Sequence, residues 1–301
     1  MIAIPTILVI TAVAFFMMHA APGGPFDLER PMPEETRQLL LSRYGMDQPV
    51  WKQYIDYMVN LFHGDFGPSL KVRDKDVAEI LAEGFPVSAT IGICSMVLAV
   101  MFGSFLGSVA ALRQNTGSDF AVMTFAMVGI SIPPFVMGPI LALFFGLYLG
   151  WLPTGGLDPR LGMTAERLIL PVVTLALPQI AVIARLMRAS MIEVLRSNYI
   201  RTARAKGLSP TSVVIRHALR SAILPLVSYL GPASAALISG SLVIEVVFQL
   251  PGIGKHFVDA ALQRDYTMVM GVVIIYATLI IVLNLVADLL YGVLNPKVKY
   301  E

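Results

Sequence analysis

The sequence predicts an all-α integral membrane protein with six transmembrane helices, and three observations support this fold class. Apolar residues make up 56% of the 301 residues and charged residues only 14%, against about 25% charged in ordinary soluble domains. The apolar residues form long continuous segments, and the basic residues are concentrated in alternate loops between them. A large soluble helical core is the alternative, but its helices would need polar faces that these segments lack.

Six segments are apolar enough to cross a bilayer, which takes about 20 helical residues. They are Ile2–Met18, Ser88–Leu112, Phe120–Leu149, Leu168–Arg188, Ala222–Val247 and Thr267–Tyr291. The predicted organisation is therefore a first transmembrane helix in residues 1–19, an external loop with short helices in residues 20–87, and a five-helix core in residues 88–301.

The first segment is the shortest of the six. No basic region precedes it, so we expect a retained helix rather than a signal peptide. A cleaved signal peptide is the alternative, because Ala20 and Ala21 are small residues of the kind found at cleavage sites.

The long loop that follows contains two predicted helices. Pro33–Tyr44 has Glu34 and Glu35 in its first turn and Gly45 as a stop. Pro49–Phe62 carries aromatic and aliphatic residues at helical spacing. Packing on the bundle would explain that stripe, and docking of an external protein is the alternative.

Prolines and small residues mark the spans themselves. Pro133, Pro134 and Pro139 in the third span, and Pro171 and Pro178 in the fourth, predict bends because proline removes a backbone hydrogen bond.

Small residues are prominent in the second and fifth spans. Gly103 and Gly107 form a GxxxG face, which favours close helix packing. The fifth span is rich in serine, and we interpret its hydroxyl groups as candidates for lining a wet pathway, with plain helix packing as the alternative. The candidate pathway residues are Ser228, Ser234, Ser239 and Ser241.

The distribution of charge predicts the orientation. The loops after the second and fourth spans and the C-terminal tail hold eleven bases, namely Arg113, Arg185, Arg188, Arg196, Arg201, Arg204, Lys206, Arg216, Arg220, Lys297 and Lys299. Their acids are only Asp119, Glu193 and Glu301, whereas residues 20–87 carry eleven acids and seven bases. Because positively charged loops stay in the cytoplasm, both termini and the loop after the fourth span are predicted to be cytoplasmic.

That loop, residues 193–221, is the most informative part of the chain, and we call it the basic loop. Ala203 favours helix, and Gly207 can supply a left-handed stop that a residue with a Cβ would resist. Ser209 followed by Pro210 predicts an N-cap and the first residue of a second helix, which runs to about His217. Two short polar helices joined at a bend suit docking into another protein.

The basic loop resembles the coupling loop of importer-type ABC permeases, whose signature is Glu-Ala-Ala, three residues and Gly. Ala203 and Gly207 hold their places, whereas Arg201 and Thr202 stand where Glu and the first Ala would be. The form RTARAKGLS is similar to that of the peptide and nickel branch of the family. The resemblance extends over nearly the whole chain, through APGGPF at Ala21–Phe26, HGDFGPS at His63–Ser69, RASMIEVLRSNYIRTARAKG at Arg188–Gly207 and PGIG at Pro251–Gly254.

This resemblance implies the type I ABC importer permease fold and a transmembrane permease subunit of an ATP-driven importer, most similar to the oligopeptide type. It implies a second homologous permease subunit, two cytoplasmic ABC ATPase subunits and an extracytoplasmic peptide-binding protein as partners. The expected location is the bacterial cytoplasmic (inner) membrane, in contact with lipid and not with nucleic acid. A dipeptide, glutathione or nickel permease of the same branch is the alternative, and an ATP-independent carrier a more distant one.

The resemblance also implies which residues couple to the ATPases. They are nine consecutive residues of the basic loop, Arg201, Thr202, Ala203, Arg204, Ala205, Lys206, Gly207, Leu208 and Ser209.

Signatures of catalysis are missing from the sequence. Gly254-Lys255 is followed by His256, so no Ser or Thr stands where a P-loop would hold Mg²⁺. The four histidines are too scattered for a metal cluster. We therefore expect no catalytic residue, metal or cofactor in this chain, with ATP and Mg²⁺ bound by the partner ATPases.

Few ionisable residues occur in the predicted spans, and they lie near the ends. For Arg185, Arg188, Glu245 and Asp288 we expect interfacial or inter-subunit pairing rather than a proton relay, which would need a carboxylate near mid-membrane.

Overall fold

The computed structural model describes residues 3–26, 33–72, 74–158 and 160–294. Lys297, Lys299 and Glu301, which contribute to the predicted orientation, lie outside the described residues, as do Met1 and Ile2. In these ranges the regular elements are helices, apart from two isolated β-bridges. They are α1 (Ala3–Ala20), α2 (Glu34–Arg43), α3 (Val50–Phe62), α4 (Val77–Leu112), α5 (Gly117–Ser131), α6 (Pro134–Leu141), α7 (Ala165–Leu195), α8 (Asn198–Ala205), α9 (Pro210–Ser212), α10 (Leu219–Ala222), α11 (Leu224–Val247), α12 (Ile253–Gln263) and α13 (Tyr266–Leu294), with π-helical segments at Ala142–Tyr148 and Val213–Ala218.

Five of these helices are long and apolar enough to cross a membrane, namely α1, α4, α7, α11 and α13. A sixth span exists if α5 and the segment Pro134–Tyr148 count as one. The all-helical membrane fold predicted from composition is therefore confirmed, with five or six spans.

The third predicted span, Phe120–Leu149, is bent far more sharply than a proline kink. Its two halves meet at an angle of 104°, and the break falls at Ile132 and Pro133. Pro133 and Pro134 are consecutive residues without an N–H, so two successive helical hydrogen bonds are lost there. The predicted bend is present at the predicted residues, but it divides the span in two.

The helix that contains the second predicted span begins before that span does. α4 starts at Val77 rather than at Ser88 and passes through Pro86 without ending. The extra residues include Glu79 and Glu83, so the hydropathy of the sequence falls there although the helix continues. The last part of the predicted external loop is therefore helical.

The two helices predicted in the long loop are present as α2 and α3. α2 ends at Arg43, and Gly45 follows with a positive φ of 66°. A left-handed residue of this kind stops a helix, and glycine adopts the conformation without strain.

The described residues divide into two compact units. The first contains the chain up to Ser88 together with Pro251–Ile281, and the second contains Ala89–Leu250 together with the chain from Val282 onward. In the second unit α4 packs directly against α7, since a Cβ at Gly107 would lie 2.3 Å from the Ala184 carbonyl oxygen. The GxxxG face of α4 is thus a close helix contact, as small residues permit.

Candidate coupling site

The first helix of the basic loop ends as the sequence predicts. α8 runs to Ala205, and the Lys206 N–H donates to the Thr202 carbonyl oxygen at 3.0 Å. Gly207 follows with a φ of +78°, and apart from the two adjacent residues no atom lies within 4 Å of the position that a Cβ would occupy. The constraint at Gly207 is therefore the backbone conformation, because the surrounding space is open.

The second helix of the loop starts at the predicted cap. The Ser209 side chain accepts a hydrogen bond from the Ser212 N–H at 3.3 Å, and Pro210 is the first helical residue. The predicted end near His217 is too early. Helical structure continues through the π-helical segment Val213–Ala218 and α10 to Ala222, since the sequence contains no helix stop before that point.

The base of the basic loop is packed onto α7. Ile200 and Ala203 are three residues apart and therefore lie on one face of α8, with exposed fractions of 0% and 7%. They belong to a buried apolar cluster with Ala111, Met187, Met191, Val213, Ala218 and Ala222. The Ser190 hydroxyl adds a hydrogen bond of 2.9 Å to the Ala222 carbonyl oxygen. The loop is consequently held in a fixed position by its apolar side.

The opposite side of the loop is exposed. Of the nine predicted coupling residues, Ala203 is buried and the other eight are exposed, namely Arg201, Thr202, Arg204, Ala205, Lys206, Gly207, Leu208 and Ser209. Within the described residues, Arg201, Arg204 and Lys206 form no ion pair shorter than 4.0 Å. Tyr199 and Ile215 add large exposed apolar groups to the same loop. Basic groups beside exposed apolar side chains are suited to a protein partner.

An ion pair between a half-buried arginine and a buried aspartate joins α7 to α5 just before the basic loop. Arg188 of α7 donates two hydrogen bonds of 2.6 Å to Asp119 of α5, whose exposed fraction is 2%. The Asn115 N–H donates to the same carboxylate at 2.9 Å. The sequence predicts interfacial or inter-subunit pairing for Arg188, and the structure places its partner within the chain. Sequence reasoning missed Asp119 in this role, because the two residues are 69 positions apart.

The four candidate pathway serines do not share one face of α11. Ser228 and Ser239 are exposed and eleven residues apart, about three helical turns, so they lie on the same side. Ser234 is half-buried and Ser241 is buried, and their hydroxyls donate to the carbonyl oxygens of Leu230 and Ile238. Ser228 and Ser239 thus lie on one side of α11 and Ser234 and Ser241, seven residues apart, on another, and the assignment of the four serines to a pathway stays a prediction.

The first unit contains a second constellation, which sequence reasoning missed. Asp265, 2% exposed, accepts hydrogen bonds from the Ser69 hydroxyl at 2.5 Å and from the Leu70 N–H at 3.2 Å. It also accepts from the Met268 N–H at 3.2 Å, and so caps α13. The Thr267 hydroxyl lies 3.0 Å from the same carboxylate, but its proton is closer to the Pro68 carbonyl oxygen, at 2.7 Å. We call Asp265, Ser69, Leu70, Thr267 and Met268 the Asp265 cluster.

The APGGPF stretch is attached next to this cluster. The Lys71 ammonium donates to the Pro25 carbonyl oxygen at 2.5 Å, and the Tyr266 hydroxyl donates to the Gly23 carbonyl oxygen at 3.1 Å. Burial lowers the pKa of Lys71, an effect that the nearby Asp265 opposes. Two of the sequence stretches that carry the resemblance, APGGPF and HGDFGPS, therefore meet at α13.

Comparison with known proteins decides the family. The model of the binding-protein-dependent transport system inner membrane component matches residues 103–300, and the model of the N-terminal part of such membrane components matches residues 1–92. The chain belongs to this family of transport-system membrane components.

Individual relatives match nearly the whole chain. The oligopeptide transport system permease protein OppB of Escherichia coli (strain K12) is 48% identical over 99% of this chain and 96% of its own length. The dipeptide transport system permease protein DppB of Bacillus subtilis is 42% identical over 98% and 94%. Among solved structures, an inward-facing MetNI methionine ABC transporter matches with a TM-score of 0.59 and 18% identity, over 72% of this chain and 96% of that chain.

Membership has direct consequences for the site. The matched range 103–300 includes the whole basic loop and the Asp119–Arg188 pair. The protein is therefore a multi-pass membrane component that works with other subunits of a transport system, and the MetNI similarity shows the same fold in its core.

Proposed function

We propose that this chain is the permease subunit of an ATP-driven ABC importer for oligopeptides, forming the translocation pathway with a second homologous permease subunit. The observation that carries the proposal is the 48% identity, over nearly the full length of both chains, to a permease protein of an oligopeptide transport system. Similarity of this extent covers the spans, the long loop and the basic loop alike.

The basic loop is the proposed coupling loop, with Arg201–Ser209 as the contact to a cytoplasmic ATPase. Two features support this assignment. One face of α8 is anchored on α7 through Ile200 and Ala203, so a force on the loop is transmitted to a transmembrane helix. The other face presents exposed basic and apolar groups, which a partner can cover.

The proposed assembly follows from this orientation. Both termini and the basic loop lie on the cytoplasmic side of a bacterial inner membrane, because positively charged loops stay on that side. Two ATPases bind ATP and Mg²⁺ and dock on the two coupling loops, and an extracytoplasmic binding protein delivers the peptide. Closure of the ATPases brings the coupling loops together and opens the pathway outward, and hydrolysis reverses the change.

Dipeptides are the second candidate cargo, because a relative that is 42% identical is a dipeptide transport system permease. Uptake into proteoliposomes that hold the complete complex, with ATP inside, separates the two. We expect labelled tripeptides to pentapeptides to enter and unlabelled ones to compete, whereas Ni²⁺ should not compete. Competition by dipeptides alone would move the assignment to the dipeptide class.

The same preparation tests the division of labour between the subunits. The purified single chain should hydrolyse no ATP, and omission of the ATPases should abolish uptake. Uptake that continues without ATPases would contradict the proposal in favour of an ATP-independent carrier.

A further inference from the structure

We propose that the break between α5 and α6 lines the translocation pathway, where its backbone carbonyl oxygens accept hydrogen bonds from the main-chain N–H groups and terminal ammonium of a peptide. This inference rests on the proposed function, since it assumes that a peptide passes through the permease.

The break lies at mid-depth of the helical bundle. A Cβ at Gly129, three residues before the C-cap Ile132, would lie 3.4 Å from both the Ala181 Cβ and the Leu177 carbonyl oxygen. Ala181 is near the middle of α7, which runs from Ala165 to Leu195. The chain therefore turns by 104° at a depth where a transmembrane helix ordinarily continues.

The chemistry of the break leaves acceptors at the end of α5. In a continuous helix the N–H groups of residues 133 and 134 would donate to the carbonyl oxygens of Gly129 and Ile130. Both residues are prolines and have no N–H, so these two bonds cannot form. The carbonyls also belong to the C-terminal end of a helix, where the dipole is negative and attracts donors and cations.

The break is open on one side, where Ile130 is exposed, and Gly129 beside it is buried against α7. Ser131 and Phe135 are exposed on either side of it. The Ser131 hydroxyl donates to the Met127 carbonyl oxygen at 2.8 Å, and its own oxygen can still accept. Non-helical backbone at membrane depth is tolerated where it is buried in protein or lines a water-filled cavity. If an apolar protein surface covered the break, the carbonyl oxygens of Gly129 and Ile130 would have no hydrogen-bond donor. The geometry therefore favours a break that lines a water-filled cavity.

The ligand class follows from the donors that such a site can bind. Broken helices in transporters use unwound backbone and helix ends to bind the charged groups of the substrate and its coupling ions. Every peptide carries main-chain N–H groups and, at neutral pH, an N-terminal ammonium, whatever its side chains. Carbonyl acceptors at the break would therefore bind peptides with little regard to sequence.

Cysteine labelling in the full complex tests whether the break is wet. Cys94 is replaced by Ala, and a single cysteine is placed by Ser131→Cys or by Met101→Cys. Met101 is a matched control, because it is exposed on α4 at the same depth, on the face opposite to Gly103, which packs on Ile183. A charged methanethiosulfonate reagent reacts with thiolate, which forms poorly in apolar surroundings.

We expect Ser131→Cys to react at least about tenfold faster than Met101→Cys, and saturating trialanine with the binding protein and ATP to slow the reaction severalfold. Equal rates at the two positions throughout the transport cycle would show that the sister permease or lipid covers the break. A fast reaction that trialanine leaves unchanged would overturn the assignment of the peptide as ligand. Neither of these labelling results bears on the proposed function if the wild-type complex takes up peptide in the presence of ATP. A wild-type complex without ATP-driven peptide uptake would refute the proposed function, whatever the labelling shows.

A second variant tests the acceptors themselves. The double substitution Pro133→Ala and Pro134→Ala restores both N–H donors, so the helix can continue and cover the carbonyls. Peptide uptake should fall about tenfold at unchanged co-purification of the ATPases, whereas Pro139→Ala, within α6, should have a small effect. Wild-type uptake in the double variant would contradict the inference.

Discussion

In the Asp265 cluster the carboxylate is buried, 2% exposed, and accepts hydrogen bonds from the Ser69 hydroxyl and from the Leu70 and Met268 N–H groups. The basic loop has the reverse arrangement, because its apolar residues Ile200 and Ala203 are buried and its basic side chains are exposed. Because a buried charge must be hydrogen-bonded, Asp265 holds together the chain segments that supply its donors. In the basic loop the buried apolar residues hold the loop in place, and the exposed basic side chains can bind a partner protein. The comparison separates residues that hold this protein together from residues that we propose to transmit motion.

The largest effect is expected where the buried charge is removed. Asp265→Asn replaces one acceptor oxygen by an NH₂ group. The Ser69 hydroxyl oxygen already accepts from the N–H groups of Lys71 and Val72, so its proton is committed to Asp265. At least one donor would then face another donor, which should cost roughly 3 kcal/mol of stability. Thermal unfolding of the purified complex in detergent measures the loss.

The control for this change is Asp56→Asn, at an exposed carboxylate of α3 in the same unit. It should shift unfolding by much less than Asp265→Asn. Equal shifts for the two variants would mean that the hydrogen bonds of the cluster do not contribute measurably to stability.

The second effect concerns function rather than stability. Gly207→Val forces a β-branched residue into a φ of +78°, at a cost of about 1–2 kcal/mol in local strain. Relief of that strain would redirect the helix that starts at Pro210. We expect ATPase co-purification and peptide uptake to be lost together at normal membrane abundance, and Gly207→Ala to be milder.

Gly117→Val is the matched control. Gly117 also has open space where a Cβ would stand, but its φ is not positive, so valine should be tolerated. If Gly207→Val docked the ATPases as well as Gly117→Val does, the basic loop would be an ordinary connection.

The sequence predicted the basic loop better than the Asp265 cluster, and the reason is physical. The stop at Gly207 and the cap at Ser209 depend on residues within a few positions, so local conformational preferences reveal them. The Ser69–Asp265 hydrogen bond joins residues 196 positions apart, and no local preference encodes such a contact. The resemblance drew attention to the HGDFGPS stretch, but not to Asp265, the carboxylate to which Ser69 of that stretch donates a hydrogen bond.

The spans show the same division. Hydropathy located all the apolar segments, yet it began α4 at Ser88 because Glu79 and Glu83 lower the apolar content of the first turns. The prolines near residue 133 predicted a bend, but its angle of 104° depends on how α6 packs against α7 and α11. Hydropathy therefore identifies which residues can enter the membrane and not the path that they take.

A smaller effect is expected from single exposed charges. Arg204→Glu should weaken co-purification of the ATPases a few-fold at low ionic strength, if this side chain faces an acidic surface of the partner. The difference should shrink toward about 1 M salt, where charges are screened within about 3 Å. Arg113→Glu, an exposed charge outside the basic loop, should leave docking unchanged. A loss that is independent of salt would indicate a change in the loop's structure instead.

The smallest effect is a pH dependence in the first unit, at His256 of α12. Burial lowers the pKa of this imidazole. Among its neighbours Asp259 and Glu83 raise the pKa, whereas Lys255 and Lys75 lower it. The unfolded chain, with a pKa of about 6.5, therefore takes up the proton before the folded protein does.

Stability should accordingly be constant near pH 8 and should fall as the pH decreases through about 6.5 toward the lower folded pKa of His256. His256→Gln has no proton to bind and should flatten this acid limb. Asp259→Asn removes a carboxylate that raises the pKa, so it should lower the folded pKa further and deepen the loss in acid. Melting temperatures of the three proteins between pH 8 and pH 5 measure the slopes. His256→Gln should weaken the dependence of melting temperature on pH, and Asp259→Asn should strengthen it. If the melting temperatures of the two variants changed in parallel with pH, His256 would not contribute to the acid sensitivity of this unit.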